Sequence, residues 1–261
     1  MFDALFTTTT EYKKLSHALS GKGACALFGL PASGRAQVYA ALCRQLDKPL
    51  CIVTPGEAEA TRFAADLNTL GIPAAVFPAR DYVLRPIEGT AREYEYRRLA
   101  VLGELVGGRL RAVAVPAEAL TQFTTPKEDF CANTRTLHAG DTLLRDDLLA
   151  ALFGAGYTRR AQVDGPGQFS VRGDIVDIFA PDQKMPVRME FWGDEIDTLH
   201  TFDLTTQRRE DAIDKFYLSP AREVLFGKPA DAAEQLRAFL AKQRGKKKTA
   251  MADCMLSLIH I

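Results

Sequence analysis

Short apolar runs alternate with amphipathic stretches across residues 24–115, and this alternation constrains the fold more than any other feature of the chain. Runs of this length predict buried strands, and apolar residues that recur every three or four positions predict the helices between them. The predicted strands are residues 24–28, 49–54, 74–77 and 110–115. Strands that alternate with helices are typical of an α/β fold with a mostly parallel sheet.

The pattern changes beyond Pro116, where one predicted helix over residues 146–153 precedes strand-like segments separated by Gly and Pro turns. The clearest strands are residues 167–179 and 187–192. In the second of these, alternating residues face opposite sides of a half-buried strand: Val187, Met189 and Phe191 against Arg188, Glu190 and Trp192. Antiparallel pairing in a second, α+β domain is therefore predicted.

The 261 residues are enough for one large domain or two modest ones. We predict the α/β domain at residues 1–115, the α+β domain at residues 116–204 and, at residues 205–261, the start of a further, truncated domain. After a predicted helix at residues 230–243, the stretch from about residue 244 joins a basic run to an apolar end. We predict that this stretch is not native.

The composition limits the kinds of partner and the cellular compartment that we expect for this chain. Lys plus Arg and Asp plus Glu both count 33, so no global excess of positive charge draws the chain to nucleic acid or to an anionic membrane. The five cysteines lack zinc-type spacing, which predicts no metal site and a reducing compartment. No apolar stretch reaches the ~20 residues of a membrane helix, and the first residues lack the pattern of a signal peptide. We expect a cytoplasmic protein without a membrane partner.

The segment from Gly29 to Ala36 follows a predicted strand, opens a predicted helix and has the spacing of a phosphate-binding loop. Gly29, Ser33 and Gly34 fit that pattern. Arg35 and Ala36 stand where such a loop has the Lys that reaches the phosphates and the Ser or Thr that holds magnesium. Two interpretations follow: an ATP site that uses Arg35, or a retained scaffold without nucleotide. We expect the second, and hence no cofactor.

Five carboxylates lie close together in the strand-rich sequence: Asp174, Asp177, Glu190, Asp194 and Glu195. Two-metal or acid–base chemistry would need several of them in one cleft. Strand alternation opposes this, because Asp174 and Asp177 cannot share a face of a regular strand. We therefore expect them to pair with Arg172, with Arg188 and with solvent, and we predict no catalytic residue.

A set of arginines surrounds or follows the Gly-Pro-Gly turn at residues 165–167: Arg159, Arg160, Arg172, Arg208 and Arg209. Planar guanidinium groups bind carboxylates through two hydrogen bonds and are common at partner surfaces. Alternatively, these are solvated charges at strand edges, where they oppose aggregation. The residues alone leave both interpretations open.

A long signature spans the strand-rich sequence: GYTRRAQVDGPGQFSVRGDIVDIFAP followed by VRMEFWGDEIDTLHTFDLTTQRR. It closely resembles the UvrB-interaction region shared by the excision-repair protein UvrB and the transcription-repair coupling factors. The likeness also covers residues 20–115 and extends to about residue 226. It implies a helicase-like, mostly parallel α/β domain with a degenerate phosphate-binding loop, into which an α+β domain is inserted.

Three departures from UvrB favour the coupling factors. Arg35 and Ala36 replace the Lys and Thr of the intact loop in UvrB. Only residues 81–96 stand where UvrB inserts a tyrosine-rich hairpin. Ser170 stands where UvrB-like sequences carry the first arginine of F-R-V-R-G.

The resemblance implies a non-catalytic recognition module that recruits UvrA for excision repair. UvrA would dock on the α+β domain through the VRG arginine, Arg172, with Arg159 or Arg160 and the strand residues Phe169 and Val176 alongside. In the coupling factors, ATP and magnesium serve a DNA translocase motor, and RNA polymerase and DNA bind to parts that this sequence lacks. The alternative is a UvrB-like subunit that binds and hydrolyses nucleotide.

Overall fold

The computed structural model describes residues 7–21, 24–46, 48–80, 92–225 and 238. The helices are α1 (Thr10–Ser20), α2 (Ala32–Gln45), α3 (Glu57–Thr69), α4 (Glu93–Val106), α5 (Ala117–Leu120), α6 (Lys127–Ala132) and α7 (Arg145–Gly154). The strands are β1 (Leu50–Thr54), β2 (Ala74–Val76), β3 (Ala112–Pro116), β4 (Arg135–His138), β5 (Thr158–Arg159), β6 (Gln168–Arg172), β7 (Ile175–Phe179), β8 (Val187–Trp192), β9 (Glu195–Phe202), β10 (Arg209–Ala212) and β11 (Lys215–Leu218). The chain divides into two compact units, Met1–Glu223 and Val224–Ile261. Every helix and strand named above belongs to the first unit.

The first sheet is parallel and has the strand order β1-β3-β2. Its central strand, β3, is buried along its whole length because helices cover both faces. Ala112 and Ala114 pack in the cluster that contains Phe63 of α3. Val113 packs on the opposite side with Val101 of α4. The strands predicted at residues 49–54, 74–77 and 110–115 are thus confirmed to within two residues.

The predicted first strand is wrong. Within the described part of the chain, residues 24–28 pair with no strand and are exposed, and Phe28 has 89% of its surface exposed. The sheet therefore ends at β1 on that side. An apolar run meets only one requirement of a buried strand, and backbone pairing to a neighbour is the other.

The second sheet has six strands in the order β10-β9-β8-β7-β6-β5. All neighbours are antiparallel except β5 and β6, which are parallel. One face packs against α7, whose Leu148 and Leu152 lie in a core with Val176 and Met189. The predicted mixture of parallel and antiparallel sheets in an α/β fold is confirmed, whereas a helicase-like arrangement is not.

Residues 209–218 lie with the strand-rich region, although the predicted third domain starts at residue 205. β10 pairs with β9, and β11 pairs with β4. The carboxylate of Asp203 accepts hydrogen bonds from the backbone N–H groups of Thr205 and Thr206, which reverses the chain onto β9. The helix predicted at residues 230–243 and the stretch after residue 244 fall outside the described residues, apart from Ala238. The three-domain division stays a prediction.

A buried ion pair connects α4 to the end of the strand-rich region. Arg98 Nη2 and Nε donate to the Glu223 carboxylate at 2.7–3.0 Å, and both side chains are fully buried. Arg80 Nε donates to the same carboxylate at 2.9 Å. We call Arg80, Arg98 and Glu223 the junction cluster. Burial raises the pKa of Glu223, but the hydrogen bonds from Arg98 and Arg80 outweigh it, so the pKa lies below its ordinary value.

None of the helices that the structure describes is both long enough and apolar enough to cross a membrane.

Candidate functional site

The segment from Gly29 to Ala36 departs from a phosphate-binding loop. Helix α2 already begins at Ala32 after Pro31, and the Arg35 N–H donates to the Pro31 carbonyl at 3.1 Å inside the first turn. Ala36 is buried, so the position of the magnesium ligand faces the interior. A phosphate cradle needs a loop whose N–H groups face the ligand before the helix starts. The prediction of a degenerate phosphate-binding loop is not confirmed.

The face of the six-stranded sheet that turns away from α7 carries a row of polar side chains. Alternate residues of a strand lie on opposite faces, so Arg172 and Ser170 lie opposite the core residue Phe169. Ser170 is paired with Asp177 on β7, and Asp177 is paired with Arg188 on β8. The register therefore brings a carboxylate between two arginines. We define the charged face as the face that bears Arg172, Asp177, Arg188, Glu190 and Arg209.

Asp177 is fully buried between the two arginines. Arg188 donates to it twice, from Nε to Oδ1 at 2.7 Å and from Nη2 to Oδ2 at 3.0 Å. Arg172 Nη2 donates to Oδ2 at 2.6 Å. The Arg188 side chain is 10% exposed and that of Arg172 is 47% exposed. Because Arg188 neutralises Asp177, this trio presents one net positive charge to solvent, on Arg172.

Arg188 is fixed by its surroundings. Its guanidinium lies 4.7 Å from the ring centre of Phe202, and its Nη1 donates to the carbonyl of Gln207 at 3.2 Å. The hydrogen bond to Asp177 raises the pKa of Arg188 against the lowering effect of burial. Arg188 is therefore a charged and immobile support for Asp177, while the side chain of Arg172 extends toward solvent.

The same face continues toward the hairpin between β8 and β9. Glu190 accepts hydrogen bonds from Arg209 of β10 and, at 3.4 Å, from Thr198 of β9. Trp192 lies two residues beyond Glu190, and its surface is 83% exposed. Tryptophan and arginine are enriched among residues that dominate protein–protein binding. Trp192 was not selected from the sequence, although the alternation of residues 187–192 already placed it with Arg188 and Glu190.

The prediction that Phe169 and Val176 contact a partner is wrong. Phe169 and Val176 are fully buried in the core under α7, so no partner can reach them without unfolding the domain. Phe169 also meets Phe153 of α7 edge to face, with ring centres 5.2 Å apart. Strand alternation explains the error: Phe169 is three residues from Arg172 along β6 and Val176 is one residue from Asp177 along β7, so both lie on the other face of the sheet.

Arg159 and Arg160 are exposed, as a role in binding requires. The register pairs Arg159 with Phe169, which puts it on the opposite face from Arg172. The structure therefore does not bring Arg159 and Arg172 together. Arg160 follows the last residue of β5 and donates its N–H to the carbonyl of Phe169 at 2.8 Å.

The carboxylates do not converge in one cleft. Asp177 pairs with Arg172 and Arg188, which confirms the expected pairing. Asp174, in the turn after β6, pairs instead with Arg145 at 3.1 Å. Among the residues that the structure describes, no three His, Cys, Asp or Glu side chains are grouped to hold a metal ion.

The chain is similar to known proteins over the strand-rich region and beyond it. Residues 136–224 match the UvrB interaction domain family. The transcription-repair-coupling factor of Bacillus subtilis is 27% identical over 90% of this chain and 20% of its own length, and that of Myxococcus xanthus is 35% identical over 76% and 17%. UvrABC system protein B of Chlorobium limicola is 28% identical over 81% of this chain and 32% of its own length.

The match to the UvrB interaction domain family covers the strand-rich region that bears the charged face. Over most of its length the chain is related to the transcription-repair-coupling factors, and it is also similar to the B protein of the UvrABC system. The chain spans about a fifth of the length of the coupling factors that it matches.

Proposed function

We propose that this chain is a non-catalytic recognition module that recruits UvrA for nucleotide excision repair coupled to transcription. The observation that supports this most directly is the half-exposed Arg172 on the charged face of a UvrB interaction domain. Its free N–H groups suit a carboxylate on the partner, and the exposed Trp192 suits an adjoining apolar pocket. The partner surface is therefore acidic with an apolar recess.

The proposal extends to the whole protein to which such a chain belongs. There, an ATP-dependent DNA translocase would displace stalled RNA polymerase, with ATP and magnesium in a motor outside this sequence. RNA polymerase and DNA would bind to those other parts. The chain itself would act by binding UvrA and not by turnover.

Calorimetric titration of purified UvrA into the chain tests the proposal. Arg172→Ala is expected to weaken binding by about 2–5 kcal/mol, the usual cost of truncating one partner of a buried interface charge pair. The fold should persist, since Asp177 remains paired with Arg188. Unchanged affinity in Arg172→Ala would show that UvrA does not bind at this face.

Arg97→Ala is the matched control. Arg97 of α4 is 44% exposed and pairs with Glu57 at 3.7 Å, so it resembles Arg172 in exposure and in having a carboxylate partner. Its carboxylate partner Glu57 is the first residue of α3, so Arg97 is not part of the charged face. We expect Arg97→Ala to bind UvrA with the affinity of the unmodified chain, because Arg97 lies outside the charged face.

A UvrB-like nucleotide-binding subunit is the second candidate, favoured by the similarity to UvrABC system protein B. The buried Ala36 and the early start of α2 oppose it. Titration of ATP with magnesium in a separate calorimeter cell distinguishes the two. We expect no binding heat, whereas a saturable signal would support the nucleotide-binding subunit.

A further inference from the structure

We propose that Asp177 is a positioning residue for UvrA binding: it holds the guanidinium of Arg172 in the orientation in which the partner meets it. This inference rests on the proposed function and adds a residue that makes no contact with the partner itself. Asp177 is fully buried, so it can act only through the arginines that it binds.

The geometry of the sheet supports this role. Arg172 is paired with Ile175 across the β6–β7 hairpin, so its side chain reaches Asp177 diagonally, two residues further along β7. Long side chains can span such a diagonal. Asp177 cannot turn away to follow Arg172, because Arg188 holds both of its oxygens. The carboxylate is therefore a fixed anchor on one side of a side chain that is otherwise half exposed.

Two effects of Asp177 on an acidic partner oppose each other. Its negative charge weakens the attraction between the charged face and the partner. Its hydrogen bond restrains Arg172 before binding, so less conformational entropy is lost when the complex forms. Replacing Asp177 by Asn separates the two effects. Charge alone predicts tighter binding in the variant, whereas anchoring predicts weaker binding.

We expect Asp177→Asn to bind UvrA about two- to tenfold more weakly, the range associated with ordering one long side chain at an interface. The change should appear mainly as faster dissociation, since the net charge that steers association becomes more positive. In an Arg172→Ala background the anchoring effect is absent, so Asp177→Asn should weaken binding no further. A purely structural role would instead weaken binding by the same factor in both backgrounds, and this double-mutant cycle therefore distinguishes the two roles.

Loss of the Asp177 charge leaves Arg188 without its counter-ion, so the folded fraction of each variant is measured by thermal unfolding. If Asp177→Asn is not folded at the assay temperature, the double variant Asp177→Asn with Arg188→Gln replaces it. That variant keeps the net charge of the trio and leaves no unpaired buried charge. It has likewise lost the anchor, and we expect the same two- to tenfold weakening relative to the unmodified chain.

The inference is overturned if Asp177→Asn, or the double variant that replaces it when it does not fold, binds UvrA as tightly as the unmodified chain or more tightly. It is also overturned if the loss of affinity is the same with and without Arg172. Either result leaves the proposed function intact, provided that Arg172→Ala weakens binding. If Arg172→Ala itself has no effect, then the proposed site fails, and the positioning role fails with it.

Discussion

In the part of the chain that the structure describes, two carboxylates, Asp177 and Glu223, are each bound by two arginines, and the two clusters differ in the exposure of those arginines. In the junction cluster, Arg98 and Glu223 are fully buried, and Arg80 is 22% exposed. On the charged face, Asp177 is as deeply buried, but Arg172 extends into solvent. The same chemistry therefore serves two purposes: where the arginines are enclosed, it connects parts of the fold, and where one reaches outward, it offers a charge to a partner.

Removing one arginine from each cluster gives the largest contrast. Arg98→Ala leaves the Glu223 carboxylate buried without its bidentate partner and should lower the free energy of unfolding by about 3–5 kcal/mol. Arg172→Ala should lower it by about 1 kcal/mol or less, because Asp177 keeps Arg188. Urea denaturation measures both. Equal losses would contradict the distinction between an enclosed and an outward-facing cluster.

The two clusters also differ in how far the sequence could predict them. Arg172 and Arg188 stand 5 and 11 residues from Asp177, on neighbouring strands, so strand alternation and short hairpins were enough to predict their pairing. Arg98 and Glu223 are 125 residues apart. No periodicity of the sequence connects such positions, since their meeting depends on how α4 and the strand-rich region pack.

Two glycines with positive φ, one near each arginine cluster, allow the packing around the two clusters to be compared. A Cβ at Gly156, which follows α7, would lie 2.8 Å from the Cβ of Arg222, the neighbour of Glu223, and closer still to its Cγ. A Cβ at Gly173, in the hairpin beside Arg172, would meet nothing within 4 Å. We expect Gly156→Ala to lower the unfolding free energy by about 2–4 kcal/mol and Gly173→Ala by about 1–2 kcal/mol.

Denaturation of the two glycine variants checks this expectation. Both carry the strain of a left-handed residue, so Gly173→Ala serves as the control for strain alone. The excess in Gly156→Ala then measures the packing around Arg222. Equal destabilisation would mean that the chain near the junction cluster shifts without resistance.

Where prediction of the site failed, the missing information was which face of the sheet a residue occupies. Arg172 and the pairing of Asp177 were predicted, and both lie on the charged face. Phe169 and Val176 were chosen for their nearness in sequence and are core residues. The alternation visible in residues 187–192 contained the signal for Trp192. The apolar run at residues 24–28 failed for a related reason, because hydrophobicity alone does not supply a neighbouring strand.

Truncation of Trp192 should weaken UvrA binding less than truncation of Arg172 does. Because its side chain is 83% exposed, Trp192→Ala should change the free energy of unfolding by less than about 0.5 kcal/mol. It should weaken UvrA binding by about 1–2 kcal/mol, the loss expected when an aromatic interface residue is truncated. Calorimetry and denaturation of the same preparation measure the two quantities. As the control, Phe28→Ala removes another highly exposed aromatic residue, outside the strand-rich sheet, and should leave UvrA binding unchanged.

The smallest effect concerns pH and the junction cluster alone. The pKa of Glu223 in the folded chain lies below its ordinary value of 4.5, so its ionised form stabilises the fold fully above that pH. This contribution is lost as the pH falls through the lowered pKa, with a slope of at most about 1.4 kcal/mol per pH unit for one proton. The stability gap between the unmodified chain and Glu223→Gln should therefore narrow in acid, as measured by urea denaturation from pH 7 downward. A gap that stays constant would show that the charge of Glu223 is not what the two arginines recognise.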